Sequence, residues 1–221
     1  MAHDSSPVVA AFDLDGTLTE GGSVVSWLRH VGGTPRVLRS VLARLLPLAV
    51  GAVASGTRAD TAKESLFRAV LAGRPVDIVA AQSLDYAHDH VERYPRPHVI
   101  ARLRWHLEQG HRVVIVSASP EIYVQRVAEI LGAHHAIGTR LAVNEKGQLG
   151  GGYDGANCRG AEKFRRLHAW LKENDSVDGK VELYAYGNSR GDRRLLAAAN
   201  HAYDCGKLGR FGALRKFERW R

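Results

Sequence analysis

Cysteine is scarce in this chain, with two in 221 residues, and that scarcity excludes a small fold held together by disulfides. Cys158 and Cys205 lie far apart and form no CxxC pair, so a dithiol redox centre is excluded too. Residues 1–7 carry neither the basic patch nor the apolar core of an export signal, and a cytoplasmic location is expected. Long hydrophobic runs free of charge are missing. The most apolar stretch, Val37 to Ala54, is interrupted by Arg39, Arg44 and Pro47, so a spanning helix is not expected. That stretch reads as a bent helix within a helical subdomain, or as a surface meeting a greasy substrate, a partner or a membrane face.

Acids are outnumbered, 23 Asp and Glu against 31 Lys and Arg, for a net charge of +8. Much of the excess is local: Lys207, Arg210, Arg215, Lys216, Arg219 and Arg221 face the single acid Glu218 in a basic tail over 207–221. No finger or recognition-helix spacing accompanies it, and no nucleic-acid partner is expected. An anionic small substrate, or weak contact with an anionic membrane, accounts for the charge equally well. The pairs His88 with His90 and His134 with His135 lack the spacing of a transition-metal site and read as surface groups.

What is present is a repeating alternation. Val8 to Leu14 reads as a strand, followed by about eighty residues of helical pattern near 23–31, 35–54, 57–72 and 75–92, broken at glycines. From Tyr94 the chain alternates: helix 98–109, strand 112–116, helix 121–131, strand 136–143, a turn into a short returning strand, helix 161–172, strand 181–186, helix 191–199 and strand 201–204. Such alternation predicts an α/β fold, a Rossmann-like parallel sheet core with helices on both faces. The core spans 8–18 and 94–206, and 19–93 forms an inserted all-helical cap.

Four polar stations sit at strand ends or helix starts: Asp13 and Asp15, Ser117 with Ser119, Lys163, and Asn188 with Asp192. The carboxyl edge of a parallel sheet is where ligands bind, and together these groups suit an anionic, metal-assisted reaction. AFDLDGT at 11–17, VVIVSAS at 113–119, GAEK at 160–163 and YGNSRGDRRLL at 186–196 resemble the haloacid dehalogenase superfamily, in particular its phosphoserine-phosphatase-like branch with a helical cap.

The resemblance implies a magnesium-dependent phosphomonoester hydrolase acting on a small organic phosphate through an aspartyl-phosphate. Asp13 is then the nucleophile and Asp15 the general acid and base. Lys163 stabilises charge, and Ser117, Lys163, Gly16 and Thr17 bind phosphate, Thr17 chiefly by bracing the loop. Mg2+ is held by Asp13, Asp15, Asn188 and Asp192. Asn188 stands where the family usually has an acid, which lowers the negative charge offered to the ion. Glu20, Arg58 and Lys63 are candidate specificity groups. Glu20 lies seven positions past Asp13, whereas the phosphoserine-specific glutamate lies nine past, where this chain has Gly22. Alternatives are a lipid-facing or protein-interaction member of the same fold, and a phosphotransferase or mutase.

Overall fold

The computed structural model describes residues 7–40, 56–174, 181–207 and 212–220, with side chains from residue 60 onward in the second stretch. β1 (Val8–Phe12) leads into α1 (Val24–Gly32), a helical stretch over 34–40, α2 (Gly56–Leu71) and α3 (Val76–Arg93). The second half runs α4 (Pro97–Glu108), β2 (Arg112–Pro120), α5 (Glu121–Leu131), β3 (His135–Thr139), β4 (Leu141–Val143), β5 (Leu149–Tyr153), α6 (Ala161–Asn174), β6 (Glu182–Gly187), α7 (Arg193–Ala197), β7 (His201–Asp204) and β8 (Glu218–Arg219). The result is an α/β fold with a parallel sheet between helices and a helical insertion.

The sheet order is β3-β2-β1-β6-β7-β8, and every pairing in it is parallel. VVAAF has no charge, so β1 takes the centre, where parallel strands are covered on both faces. Its odd and even residues enter different cores. Ala10 and Phe12 pack with Ile115 and Tyr186 under α4, α5 and the inserted helices. Val9 and Ala11 pack with Val114, Val116 and Ala185 under α6 and α7. Burying each larger aliphatic or aromatic side chain contributes about 1.5–3 kcal/mol, which is what holds the sheet between its helices. Chain order reverses between β2-β1 and β1-β6, so a crevice opens at the carboxyl ends of those strands.

Two of the inserted helices pack on elements of the core. α3 packs on α5, and α2 lies on β5, where a Cβ on Gly151 would stand 2.3 Å from the Arg68 Cα. Only a residue without a side chain permits that approach.

Several boundaries differ from the sequence expectation. β1 stops at Phe12, although Leu14 is still wholly buried. The strand expected over 136–143 is two: β3 stays in the main sheet, while β4 turns away at Arg140 to pair antiparallel with β5. The last helix is shorter than 191–199, a 3-10 turn over Arg190–Asp192 followed by α7. Of the apolar stretch Val37 to Ala54, residues 41–54 lie outside the described residues. Among the described residues no helix is long and apolar enough to cross a membrane. In the basic C-terminal segment, Glu218 and Arg219 extend the sheet beside β7, and Trp220 packs edge-on to Tyr186 and Tyr203. His90, read as a surface residue, is buried.

Candidate active site

Asp13 stands one residue beyond β1, and its N–H still donates to the Tyr186 carbonyl at 2.9 Å, so the side chain is aimed by the sheet itself. α6 begins after Gly160 and turns Lys163 inward, where it is 2 % exposed. Lys163 Nζ donates to Asp13 Oδ1 at 2.5 Å and to Asp192 Oδ1 at 2.6 Å. The Thr17 hydroxyl donates to Asp13 Oδ2 at 2.9 Å. Asp192 Oδ2 accepts from the Ser189 N–H at 2.9 Å, the Ser189 hydroxyl at 2.8 Å and the Asn188 N–H at 3.2 Å. Both Asp192 oxygens are thereby committed within the protein.

Electrostatics makes this cluster interdependent. Burial, reinforced by the charge of Asp192, pushes the Asp13 carboxyl up to about 7 while Lys163 pulls it down. Burial disfavours the Lys163 ammonium, yet Asp13 and Asp192 together hold it above the ordinary lysine value. Two carboxylates and one cation share a dry site, and each carboxylate depends on the same ammonium.

Asp15 is held differently. Its Oδ2 accepts from the Ser119 hydroxyl at 2.5 Å and its Oδ1 from the Ser23 N–H at 2.7 Å. Ser119 is the penultimate residue of β2 and belongs to the core; Ser23 immediately precedes α1 and belongs to the insertion. Ser117 is buried on β2, and its oxygen accepts from the Ser119 N–H at 3.0 Å. Its own proton remains for another acceptor, because a hydroxyl both donates and accepts.

Asn188 follows β6 and lies over Gly16: a Cβ at residue 16 would fall 1.9 Å from Asn188 Nδ2, and Gly16 has a φ of +83°. Asn188 Oδ1 is buried without a partner. Arg96 fastens this loop from behind. Its Nη1 donates to the Gly16 carbonyl and, at 2.7 Å, to the Cys205 carbonyl.

The specificity candidates separate. Lys63, from α2, donates to the Ala118 carbonyl at 2.6 Å and to Asn157 Oδ1 at 3.1 Å. Burial lowers it to about 8 against the pull of Asp15 and Asp60. Asp60, one turn earlier, accepts from Asn157 Nδ2 at 2.7 Å, so Asn157 ties α2 to the core. Glu20 is paired with Lys207 at 2.7 Å, at a pocket of about 580 Å³ lined also by Asp15, Gly16 and Asn188. The Arg58 side chain lies outside the described residues.

The structure therefore brings Asp13, Asp15, Thr17, Lys163 and Asp192 to one sheet edge beside Ser117, Gly16 and Asn188. The sequence marks Ser119 beside Ser117 as a polar station but gives it no role of its own, whereas it singles out neither Ser23 nor Arg96.

Residues 10–197 match the haloacid dehalogenase-like hydrolase family. The chain is 36 % identical over 200 residues to Protein CicA of Caulobacter vibrioides, covering 90 % of this chain and 86 % of that one. It is 26 % identical over 214 residues to the Inhibition of morphological differentiation protein of Streptomyces azureus, covering 91 % of this chain and 64 % of that one. Among solved structures, a Bordetella pertussis Tohama I protein of unknown function superposes with a TM-score of 0.76 at 23 % identity, covering 90 % of both chains. A substrate-bound phosphoserine phosphatase gives 0.59 at 19 %, covering 92 % of this chain and 89 % of that one, which shows the fold in common. With its motif residues gathered at one sheet edge and the family match running from β1 to α7, the chain belongs to the haloacid dehalogenase-like hydrolases.

Proposed function

We propose that this protein is a magnesium-dependent phosphomonoester hydrolase of the phosphoserine-phosphatase-like branch, working through an aspartyl-phosphate on Asp13. The observation that carries the reading is the buried set Asp13, Lys163 and Asp192, with Asp15 two residues along the same chain. An Asp13 oxygen attacks phosphorus as the bond to the leaving oxygen breaks, and protonated Asp15 gives its proton to that oxygen. Asp15, now a carboxylate, takes a proton from water as that water attacks phosphorus and releases Asp13. Lys163 favours the ionised form of Asp13 against the burial that raises it, and meets the charge that develops on the transferring group. Asp192 acts through Lys163, which it positions.

Among the described residues no three His, Cys, Asp or Glu side chains are gathered into a metal cluster. The oxygen donors that fit a magnesium ion are instead the Asp13 carboxylate, the Asp15 backbone carbonyl and the Asn188 amide oxygen. Asn188 Oδ1, buried and unpartnered, is a hard neutral oxygen at the same edge. Asp13, Asp15 and Asn188 would hold the ion, and bound there it would offset the charge of the phosphoryl group. Asp192, with both oxygens committed, contributes to that site through its neighbours.

Phosphate release from a broad metabolite panel, with and without magnesium, tests the reading. Asp13→Asn should lower turnover by at least about 10⁴-fold. Wild-type rates in that variant would refute the mechanism.

A further inference from the structure

Asp204 ends β7 at the same carboxyl edge, in register with Gly187 of β6, and is 1 % exposed. It has no part in the phosphoryl transfer proposed for Asp13 and Asp15. Its Oδ1 accepts from the Gly206 N–H at 2.7 Å, and among the described residues no hydrogen bond or ion pair reaches its Oδ2. Arginines nearby are spent on carbonyls: Arg96 on Gly16 and Cys205, and Arg219 on Gly206 at 3.2 Å. A carboxylate taken out of water without a cation is costly. A buried polar group left half-answered marks where water or an ion completes the bonding.

Asp204 also shares a wall with the reacting groups. The pocket of about 580 Å³ is lined by Asp15, Gly16, Asn188, Asp204 and Gly206 among others, and Asn188 Oδ1 is buried without a partner. Only a glycine separates Asp204 from Asn188: a Cβ on Gly206 would stand 2.8 Å from Asp204 Oδ1 and 2.9 Å from the Asn188 carbonyl oxygen. The Cys205 thiol feels the same neighbourhood. Burial pushes it up to about 12 against the pull of Arg96, and Asp204, Asp13 and Asp192 add to the rise in that order. The other acids at this edge are engaged. Glu20 is paired with Lys207 at 2.7 Å, both Asp192 oxygens accept hydrogen bonds, and Asp15 accepts from Ser119 and Ser23.

Asp13, the Asp15 carbonyl and Asn188 together would offer magnesium a single formal negative charge, because Asn188 is an amide. Magnesium dehydrates reluctantly and keeps several waters, and acceptors one shell further out orient such waters and tune the ion. Resting on the phosphatase reading, we propose that Asp204 is a positioning residue for that ion: its Oδ2 accepts from water on the magnesium and supplies the negative charge that Asn188 withholds.

The test is magnesium binding by isothermal titration calorimetry on the full chain without substrate, for the wild type, Asp204→Asn, Asn188→Asp and the double variant. Asp204→Asn keeps an oxygen for the Gly206 N–H and removes the charge, and should weaken magnesium about tenfold. Moving the charge to the ligand should restore it, so the double variant should bind as the wild type does. Urea denaturation without magnesium checks a purely structural role: Asp204→Asn should be at least as stable as the wild type, since an unanswered buried charge is gone. Unchanged magnesium affinity in Asp204→Asn, no recovery in the double variant, or a less stable magnesium-free form overturns the inference. Hydrolysis of p-nitrophenyl phosphate by the wild type separates the inference from the reading beneath it. Turnover beside any of those results keeps the phosphatase reading, magnesium binding without turnover overturns that reading alone, and neither binding nor turnover overturns both.

Discussion

Asp13 and Asp15 are two residues apart and are held by opposite means. Asp13 sits in a dry ionic cluster in which Lys163 answers both it and Asp192 at 2.5 and 2.6 Å. Asp15 is partly exposed and is held by neutral donors, one from the core strand β2 and one from the residue entering α1. The first arrangement concentrates charge in a dry site, at the acid that the phosphatase reading makes the nucleophile. The second holds a carboxylate by neutral donors, with no cation bonded to it. One strand end thus gives two acids different surroundings by placing one under the sheet's charge network and handing the other partly to the insertion.

Removing one partner tests that contrast most severely. Lys163→Met leaves Asp13 and Asp192 buried without their shared cation, and should lower unfolding free energy by about 3–5 kcal/mol, read by urea denaturation. Loss of the Asp15 donor should cost far less: Ser119→Ala removes one hydrogen bond from a group that retains the Ser23 N–H, at about 1 kcal/mol. The same variant should slow release from an alkyl phosphate, whose leaving oxygen needs a proton, more than release from p-nitrophenyl phosphate. Equal destabilisation by both substitutions would erase the distinction between the two carboxylates.

A third ion pair sharpens the comparison from outside the site. Glu162 neighbours Lys163 but faces outward, bonded to Arg165 at 2.6 Å and Arg166 at 2.7 Å. Hydrogen bonding to Arg165 first, then to Arg166, lowers its carboxyl to about 2 from 4.5 against a burial penalty. A depressed folded value means that the contribution is complete above the unfolded value and is lost as pH falls toward the folded one. Glu162→Gln should therefore cost below about 1 kcal/mol near neutral pH, since solvent screens the pair. The gap from wild type should close between about pH 4.5 and pH 2 in denaturation curves taken across that range. A gap as large as that of Lys163→Met would show that burial is not what separates the two clusters.

Much of this was legible in the chain. VVAAF followed by two acids marks a buried strand that ends at a charged task, and the later apolar runs ending in Ser117, Gly187 and Asp204 repeat the pattern. Lys163 was legible because GAEK opens a helix with an inward cation. Less visible was the strand break at Arg140, since residues 136–143 carry one continuous β pattern and only the pairing partner decides where it divides. The pairing of β8 was hidden in a basic segment that resembles a solvated terminus.

Sequence by itself determined the chemistry available: which residues are acids, hydroxyls and cations, and at which strand ends they stand. Tertiary structure alone decided who answers whom. Lys163 meets Asp13 across 150 residues of sequence, Ser119 meets Asp15 across 104, and Arg96 meets Cys205 across 109. Local pattern reports burial and period within a segment, whereas these contacts depend on strand order and on where the insertion seats. Burial then sets what surrounds each group, since the same side-chain chemistry is caged in an ionic cluster at Asp13 and held by neutral donors at Asp15.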